Sequence, residues 1–427
     1  MDDIHILTPE FQTILNEMEN EKYHLVITGK AGTGKSTLLN LFRKTTARNA
    51  VVLAPTGIAA LRVQGQTIHS FFKFPPRLLS EGDIKFEYPI ARILKKLEIL
   101  VIDEMSMIRA DVMQMIDYSL RLHRRSDKAF GGVRIILFGD MFQLPPVVHG
   151  QLEMNYFFTQ FESPYFFAST AWRSLKNVQY IALHQVFRQK DHRFIQLLDN
   201  IRLHHLDPED LEELNKRLIP DFENEKGYIH LSPRNTTMNR INSRKLDELI
   251  NPTITYMGEI NGNFPEGALP AEQVLLLKVG AQIMTLRNDV NKQYVNGTIA
   301  TITEISPVFI KAVEIHSNQV ITIEKTKWEM LNYTIDPEDS SKISTKIVGK
   351  YTQFPIKLAW AMSIHKSQGQ TFDKVILDME GGAFAHGQTY VALSRCTTLD
   401  GIVLKRPLLM RDFIFDDVIF DFQNNFR

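Results

Sequence analysis

Four nearly continuous apolar runs lie in the first third of the chain, at residues 25–28, 51–54, 99–102 and 134–138. Each run is apolar at successive rather than alternate positions, which is typical of strands buried on both faces of a parallel sheet. Helix-like segments separate the first runs from one another. The pattern therefore predicts an α/β domain with a parallel sheet.

The pattern changes twice further along the chain. Between residues 72 and 92, prolines and a glycine interrupt it, which indicates a small irregular insertion. From residue 281 to 328, short β-branched runs with Asn-Gly and Ser-Asn turn signals replace the helix-like segments. Strand-like runs return at 356–362 and 374–379. We therefore predict a small all-β module inserted in a second α/β region.

Composition is that of an ordinary globular protein, with 427 residues of which 44% are hydrophobic and 23% charged. Lys and Arg together number 49, as do Asp and Glu, so net charge neither favours nor excludes nucleic acid. The one cysteine, Cys396, favours a reducing compartment. The first residues lack signal-peptide features, and no apolar run approaches the ~20 residues of a membrane helix. We expect a cytoplasmic protein without a membrane partner, associated with the nucleoid if bacterial.

Residues 24–37 combine an apolar run, a glycine-rich turn and a helix-forming stretch, and the turn fits G-x-x-x-x-G-K-[ST]. In such a loop, backbone N–H groups cradle phosphate oxygens, the lysine reaches the β- and γ-phosphates, and the hydroxyl binds magnesium. An ordinary glycine-rich turn between strand and helix is the alternative. The strand–loop–helix context favours a nucleoside-triphosphate site formed by Gly32, Thr33, Gly34, Lys35, Ser36 and Thr37.

Two further predicted strands end in polar side chains. Asp103 and Glu104 follow the run at 99–102, and Gln143 lies shortly after the run at 134–138. The carboxyl ends of parallel strands meet at the sheet edge where the phosphate loop also lies. We predict that Asp103 holds magnesium, that Glu104 deprotonates the attacking water, and that Gln143 senses the γ-phosphate or its water. The alternatives are a chance acidic pair and a capped turn with a solvated glutamine.

Arg188 and Arg395 each lie beside an apolar segment. Negative charge develops on a transferred phosphoryl group, and arginines from a second domain are a common source of compensating charge. Both residues are far from the phosphate loop in sequence, so they can reach ATP only if a second domain closes on the first. On spacing alone, a solvated surface arginine is the simpler interpretation of each.

Eight segments occur in a specific order: GKAGTGKS, APTGIAA, TIHSFF, VIDEMSM, GDMFQLPPV, VFRQ, SIHKSQGQT and YVALSR. This set resembles the superfamily 1B DNA helicases, and within them the Pif (petite integration frequency) family, with RecD and Dda as relatives. The similarity extends from about residue 7 to residue 396. It implies two RecA-like P-loop domains with parallel sheets that clasp ATP and Mg²⁺, and a 5′→3′ translocase on single-stranded DNA that unwinds duplexes.

The resemblance also implies domain boundaries and partners. The first RecA-like domain would span residues 1–186, with a strand-separating wedge at 66–92. The second would span 187–427, with a small β-barrel inserted at 291–357. The implied partners are single-stranded DNA and duplex or fork DNA, in repair, recombination or replication, with a monomer in the free state.

Site residues follow from the same resemblance. Gln12 resembles an adenine-reading glutamine, Arg188 and Arg395 resemble two arginine fingers, and Gly369 resembles a backbone contact to the γ-phosphate. Phe72, with Phe71 and Phe74 nearby, could stack bases, a mode that tolerates any sequence; packing in the core is the alternative. The implied DNA contacts are Thr56, Gly57, His69, Ser70, Phe72, Arg234, Asn235, Asn296, His365 and Ser367.

The chain departs from the family pattern at two notable places, and other functions stay open. Phe11 stands where glutamine is frequent, although Gln12 remains beside it. His204, after the signature helix at 194–202, stands where glycine is usual, and this departure makes a broader RecD-like group the alternative family. Functional alternatives are an ATP-gated nucleic-acid binding or remodelling module without strand separation, and a 3′→5′ helicase of superfamily 1A. RNA as the tracking strand is also open, because no residue identifiably reads a 2′-hydroxyl.

Overall fold

A six-stranded parallel sheet organises the first half of the chain in this computed structural model, which describes residues 8–19, 23–223 and 226–424. Its strands are β1 (His24–Gly29), β2 (Ala50–Ala54), β3 (Gln66–Thr67), β4 (Ile99–Ile102), β5 (Arg134–Gly139) and β6 (Val178–Leu183). Its helices are α1 (Pro9–Glu19), α2 (Lys35–Thr45), α3 (Gly57–Arg62), α4 (Ile68–Phe72), α5 (Tyr88–Lys96), α6 (Ala110–Arg124), α7 (Gly150–Gln160) and α8 (Thr170–Arg173). The strand order is β3-β2-β4-β5-β1-β6, all parallel. The four predicted strands are present, and β4 and β5 are buried at every position.

A second, four-stranded parallel sheet lies in the other half of the chain. The strands there are β7 (Ile229–Ser232), β8 (Ile254–Met257), β9 (Glu259–Gly262), β10 (Val274–Leu277), β11 (Gln282–Thr285), β12 (Ile299–Ile305), β13 (Phe309–Glu314), β14 (Val320–Glu324), β15 (Thr326–Ile335), β16 (Ile343–Gln353), β17 (Ile356–Leu358), β18 (Ala361–Ser363), β19 (Val375–Leu377) and β20 (Ile402–Leu404). The helices are α9 (His192–Arg202), α10 (Pro208–Asn215), α11 (Asn235–Asp247), α12 (Ile364–Ser367), α13 (Gln388–Leu393) and α14 (Asp417–Asn424). The parallel sheet has the order β18-β7-β19-β20. The predicted α/β class with two parallel-sheet domains is confirmed.

An antiparallel region is inserted in the second domain. Its sheets have the orders β14-β13-β12-β11-β17, β15-β16-β9 and β10-β8. The region runs from residue 254 to 358, so it begins well before the predicted limit of 291–357. The early strands β8, β9 and β10 have four residues each and many exposed positions. They lack the long β-branched runs that marked β12 and β13 in the sequence.

The first residues of the predicted insertion at 66–92 belong to the sheet and core of the first domain and are not part of an insertion. β3 is the edge strand of the six-stranded sheet, and α4 places Phe71 and Phe72 in its core. The stretch between α4 and α5 is irregular apart from a 3₁₀ turn at Glu81–Asp83. The start of this segment is therefore part of the main fold, and its role as a wedge stays a prediction.

The last helix, α14, returns to the first domain. Ile419 and Phe422 on this helix are buried in the core of the first domain. The Phe422 ring stacks on that of Phe167, with centroids 4.1 Å apart and planes 12° from parallel. The predicted second-domain boundary of 187–427 thus includes a helix that packs on the first domain. None of the helices in the described ranges has the length and apolar content needed to cross a bilayer.

The hairpin of β15 and β16 also reaches the first domain. The Tyr333 hydroxyl accepts a hydrogen bond from the backbone N–H of Val52 (2.9 Å) and donates to its carbonyl (3.2 Å). The Gln66 side chain accepts from the Tyr333 N–H at 3.0 Å and donates to Asn332. Asn49 bonds the backbone of Ser341 and Ile343, at 3.0 and 2.9 Å. We refer to these interactions with Asn49, Val52 and Gln66 as the hairpin contact.

Candidate nucleotide site and interdomain cleft

The phosphate loop joins the end of β1 to the start of α2. Gly32 and Gly34 have φ values of +83° and +80°, in the left-handed region that favours glycine. A Cβ at Gly34 would lie 2.8 Å from the Phe11 ring, and one at Gly32 would lie 2.5 Å from Cβ of Arg188. Both glycines are therefore required by conformation and by close neighbours. Such a turn directs successive N–H groups towards an anion at the start of the helix.

Lys35 is the first residue of α2, and its side chain folds back onto the phosphate loop that precedes it. Its ammonium group donates to the carbonyls of Gly29 (2.7 Å) and Lys30 (2.9 Å). Burial lowers the pKa of Lys35, while the charges of Asp140 and Glu104 act in the opposite direction. The lysine is thus held where its charge can act on phosphates bound by the loop. Ser36 and Thr37 follow in the first turn of α2, and the buried Thr33 hydroxyl donates to the Lys30 carbonyl at 3.0 Å.

Asp103 and Glu104 follow β4 at the same edge of the sheet. Burial and then the charge of Glu104 raise the pKa of Asp103. Glu104 adopts a left-handed conformation with φ +52°, an uncommon backbone state for this residue type that is often found at functional sites. A cation near the pair would relieve its repulsion, so the donor set fits Mg²⁺ held by Ser36 and Asp103. The described residues contain no group of three or more metal-binding side chains, so phosphate and water would supply the other ligands.

The second domain reaches these residues through Gln368, which sequence reasoning did not assign. Its side-chain amide donates to Glu104 Oε2 at 3.1 Å and to Gln143 Oε1 at 3.3 Å. Gln143 is buried after β5, as Asp103 is after β4. The structure therefore brings two of the predicted catalytic side chains of the first domain, Glu104 and Gln143, together with a residue of the SIHKSQGQT segment. The adjacent Gly369 has φ +76°.

The two predicted arginine fingers lie close to each other on the second-domain side. Arg188 donates to the Ser394 carbonyl at 3.2 Å, and burial lowers its pKa to about 10, so it stays protonated at neutral pH. Arg395 is buried and donates to the carbonyl of Val391 (2.9 Å) and the hydroxyl of Ser394 (2.8 Å). Burial and then the charge of Arg188 lower the pKa of Arg395. The predicted solvated-surface alternative is therefore wrong for Arg395.

A buried ion pair between the domains was also missed. Arg202 of α9 donates to Asp140 at 2.9 Å, and its guanidinium lies 4.4 Å from the centre of the Phe142 ring. Burial is the largest single influence on Asp140 and acts to raise its pKa, but the charges of Arg202 and Lys35, together with hydrogen bonds from Arg202 and the Phe142 N–H, lower the pKa overall. The Tyr390 hydroxyl approaches Asp140 at 3.5 Å and accepts from the N–H of Ala31 at 3.1 Å. The motifs contained these residues, but nothing in their spacing indicated that they meet.

Helix α9, the predicted signature helix, makes a second contact with the phosphate loop. Asp199 accepts a 2.5 Å hydrogen bond from the Lys30 ammonium group. After the helix, His204 adopts φ +59°, and its ring stacks on Phe415 with centroids 3.9 Å apart. This left-handed position explains why the family pattern has glycine there. In this chain the stacking contact accompanies the less favourable backbone conformation.

Near the loop, Phe11 rather than Gln12 faces the interior. Phe11 is buried, and its ring contacts that of Phe187 edge-on at 6.2 Å. Gln12 is exposed on α1 and donates to Asn16 at 3.3 Å. The adenine-reading role of Gln12 stays a prediction.

The predicted DNA contacts of the first domain differ in exposure. Thr56 caps α3 by accepting from the Ala59 N–H at 3.3 Å, and Gly57 packs so closely on Ala268 that a Cβ would lie 2.7 Å from its Cβ. Ser70 is exposed and His69 half-buried. Phe72 is only 4% exposed and packs between Phe71 and Phe74. The base-stacking prediction for Phe72 is therefore wrong, because its ring belongs to the core.

The predicted DNA contacts of the second domain are mostly accessible. Arg234 and Asn235 are exposed at the start of α11, and Asn296 is exposed in the loop before β12. His365 is half-buried, and its ring is parallel to that of Phe384, 6.1 Å away. Ser367 is fully buried, and its hydroxyl donates to the Ile364 carbonyl at 2.7 Å. The Ser367 side chain therefore cannot contact DNA in this arrangement, which contradicts its prediction.

Two parallel-sheet domains that meet at a phosphate loop, with arginines of one domain near the carboxylates of the other, define a two-domain P-loop nucleoside triphosphatase. Residues 7–210 match the PIF1-like helicase family, and residues 266–305 match the 2B domain of DNA helicase Pif1. The chain is 30% identical to the ATP-dependent DNA helicase Pif1 of Bdellovibrio bacteriovorus over 93% of its length and 87% of that protein. The chain belongs to the PIF1-like helicase family.

Other relatives differ in length. The Campylobacter jejuni ATP-dependent DNA helicase Pif1 is 31% identical, with 88% of this chain and 87% of that protein covered. The chain spans only 60% of the 30%-identical Emericella nidulans ATP-dependent DNA helicase PIF1, with 92% of itself covered. The similarity thus covers nearly all of the bacterial relatives and about three fifths of the fungal one.

Solved structures of Bacteroides Pif1 are similar over 97% of their chains. One, a double mutant, has a TM-score of 0.92 at 35% identity over 99% of this chain, and the complex with ADP-AlF4 has a TM-score of 0.91 at the same identity and coverage. The structure bound to single-stranded DNA has a TM-score of 0.68 at 36% identity over 98% of this chain. The arrangement described here is therefore closer to the first two structures than to the DNA-bound one.

Proposed function

We propose that this chain is an ATP-dependent DNA helicase that moves 5′→3′ along single-stranded DNA and separates a duplex ahead of it. The observation that carries the proposal is the meeting of both domains at the candidate general base, where Gln368 donates to Glu104 and Gln143. A site shared in this way allows ATP binding and product release to move one domain against the other. Membership of the PIF1-like helicase family supports DNA as the nucleic acid.

In the proposed hydrolysis step, Lys35 places its charge against the β- and γ-phosphates. Glu104 accepts the proton of the attacking water, and Gln143 orients that water. A bound Mg²⁺, held by Ser36 and Asp103, would neutralise part of the phosphate charge. The buried setting of Lys35 and Asp103 supports these roles, since charges act more strongly where water is excluded.

Arg188 and Arg395 are the proposed donors to the charge that develops on the transferred group. Both lie on the second-domain side, and Arg395 feels the charge of Glu104. Arg188 also packs against Gly32 of the phosphate loop, so separation of the two domains would take both arginines away from the site. This arrangement makes hydrolysis depend on domain position, as a translocase requires.

The proposed DNA path runs over exposed polar groups of both domains. Ser70 is available on the first domain, and Arg234, Asn235 and Asn296 are available on the second. Because each domain contacts the strand, the strand advances when the domains alternate between closed and open states. We propose a monomer acting on single-stranded and forked DNA, in the cytoplasm or nucleoid, in repair, recombination or replication.

Direction does not follow from the nucleotide site, because closing domains can pump a strand either way. The proposal of 5′→3′ movement rests on the sequences of the SIHKSQGQT and YVALSR segments, which resemble those of superfamily 1B, and on the antiparallel insertion in the second domain. The stretch between α4 and α5 is the proposed element that meets the duplex junction.

The test compares two duplexes that differ only in which end carries a single-stranded tail. We expect ATP-dependent strand displacement with the 5′ tail, and ATP hydrolysis that single-stranded DNA stimulates. Unwinding of the 3′-tailed duplex alone would overturn the polarity. Stimulated hydrolysis without displacement of either duplex would favour the ATP-gated remodelling module instead.

A further inference from the structure

Arg62 of the first domain lies in the interdomain cleft, although no motif marks it. It is the last residue of α3, the short helix that Thr56 caps after β2. Its side chain extends from the end of this helix to the second domain, where Nη2 donates to the Gln368 carbonyl at 3.0 Å. The segment that carries predicted DNA contacts thus also sends a cation towards the nucleotide site.

The same guanidinium faces the candidate general base. Its Nη1 lies 3.8 Å from Oε1 of Glu104, and the other carboxylate oxygen accepts from the Gln368 side chain. Arg62 therefore contacts the backbone of Gln368, while the side chain of Gln368 contacts Glu104. The three groups form a closed set of interactions across the cleft. The side chains of Arg62 and Glu104 are 27% and 17% exposed, so this set is largely shielded from solvent.

Gly369 allows Arg62 to approach so closely. Its φ of +76° is left-handed, and a Cβ at this position would lie 2.0 Å from Nη1 of Arg62. The guanidinium therefore packs directly on the backbone of the turn that follows Gln368. Its planar fork suits simultaneous contact with a carbonyl and a carboxylate, which the point charge of a lysine matches less well.

Arg62 also lies within electrostatic reach of both predicted arginine fingers. Its charge lowers the pKa of Arg188 and of Arg395, in each case as a smaller effect than burial. Three arginines, one from the first domain and two from the second, thus lie within electrostatic reach of one another in the cleft. Anionic phosphates in the cleft would relieve the repulsion among them.

We propose that Arg62 is a positioning residue for ATP hydrolysis, which holds the Gln368–Gly369 turn of the second domain against Glu104. In this way domain closure and placement of the general base occur together. The inference rests on the proposed function, since it assigns a role within the same hydrolytic site. Arg62 is not required to touch ATP, because it acts through Gln368 and Glu104.

The test uses Arg62→Ala and Arg62→Lys in the full chain, with Arg121→Ala as the matched control. Arg121 pairs with Asp117 one turn away on α6, in an ion pair that involves neither Glu104 nor Gln368. We expect the DNA-stimulated kcat of Arg62→Ala to fall about tenfold, with a change in KM for ATP below about threefold. Arg62→Lys should recover part of the loss, and Arg121→Ala should match the parent chain.

A double-mutant cycle with Gln368→Ala separates positioning from simple support of the fold. If Arg62 acts through Gln368, the effect of Arg62→Ala on kcat should shrink to below about threefold in the Gln368→Ala background. Independent, multiplicative losses would overturn the inference. A rise in KM with an unchanged kcat would also overturn it, because Arg62 would then bind ATP itself.

Two controls keep the outcome interpretable. Should Arg62→Ala lower the melting temperature, Arg62→Gln, which retains hydrogen-bond donors, replaces it in the same cycle. A parent chain without DNA-stimulated hydrolysis would overturn the proposed function together with this inference. An active parent chain with a silent Arg62→Ala would overturn the inference alone.

Discussion

Two of the places where the domains meet, the nucleotide cleft and the hairpin contact, differ in their chemistry. In the cleft, the interactions involve charged groups, such as Arg62 with Glu104 and Arg202 with Asp140. In the hairpin contact they are neutral, and the Tyr333 hydroxyl serves both the N–H and the carbonyl of Val52 as a neighbouring strand would. Anionic phosphates can compete for the cations of the cleft, whereas the hydrogen bonds of the hairpin contact include no cation that a phosphate could bind. We therefore expect nucleotide binding to change the interactions of the cleft and to leave those of the hairpin contact unchanged.

The largest expected effect is loss of hydrolysis on substitution within the cleft. Lys35→Ala should abolish hydrolysis, because the phosphates lose the fixed cation of the loop, while binding of single-stranded DNA largely survives. Glu104→Gln should bind ATP normally and stall before hydrolysis. Nucleotide binding, single-turnover hydrolysis and DNA binding measured on both variants check this. Parental turnover by Glu104→Gln would exclude Glu104 as the general base.

The arginines of the second domain should have the next largest effect. Arg188→Ala and Arg395→Ala should each lower the hydrolysis rate by ~10³-fold, with much less effect on nucleotide binding. Arg395→Ala should also lower the melting temperature, because the fully buried Arg395 bonds Val391 and Ser394, whereas Arg188→Ala should leave it nearly unchanged. Steady-state kinetics and thermal unfolding distinguish the two. Near-normal DNA-stimulated hydrolysis in both variants would place the fingers elsewhere.

Beneath the hairpin contact, Phe72→Ala should act on stability rather than on DNA. Its ring packs between Phe71 and Phe74, and Phe71 in turn meets Tyr333 edge-on at 5.7 Å. Removing a buried phenylalanine side chain costs about 3–5 kcal/mol. Chemical denaturation of Phe72→Ala measures this, with the exposed neighbour Ser70→Ala as the control. An unchanged free energy of unfolding together with weaker DNA binding would restore the base-stacking role.

The contrast between these regions also explains what the sequence could predict. The strands, the loop at Gly32 to Ser36 and the acidic pair follow from local patterns, because continuous apolar runs and a strand–loop–helix spacing have local causes. Partners such as Gln368 for Glu104 depend on how two domains meet, and no local pattern encodes that geometry. Phe72 shows the same limit, since an aromatic residue beside a DNA-binding motif has the same local pattern whether it stacks on bases or packs in the core.

The smallest expected effect concerns the hairpin contact itself. The contact places the antiparallel region over the first domain, where Ala268 packs against Gly57, one of the predicted DNA contacts. If DNA must displace this region, weakening the contact should strengthen DNA binding. Tyr333→Phe leaves the N–H and carbonyl of Val52 without the hydroxyl, and an unsatisfied buried polar group costs about 1–3 kcal/mol.

We therefore expect Tyr333→Phe to lower the Kd for single-stranded DNA about tenfold, the change that 1.4 kcal/mol produces, and to leave basal ATP hydrolysis unchanged. Tyr256→Phe is the matched control, since it also removes a hydroxyl hydrogen bond, to the Ser306 carbonyl, but within the antiparallel region. Fluorescence anisotropy with a labelled strand measures both variants. An unchanged or raised Kd in Tyr333→Phe would show that the hairpin contact and DNA do not compete. The two regions would then differ in chemistry, but DNA binding would not act on the hairpin contact in the way that nucleotide binding is expected to act on the cleft.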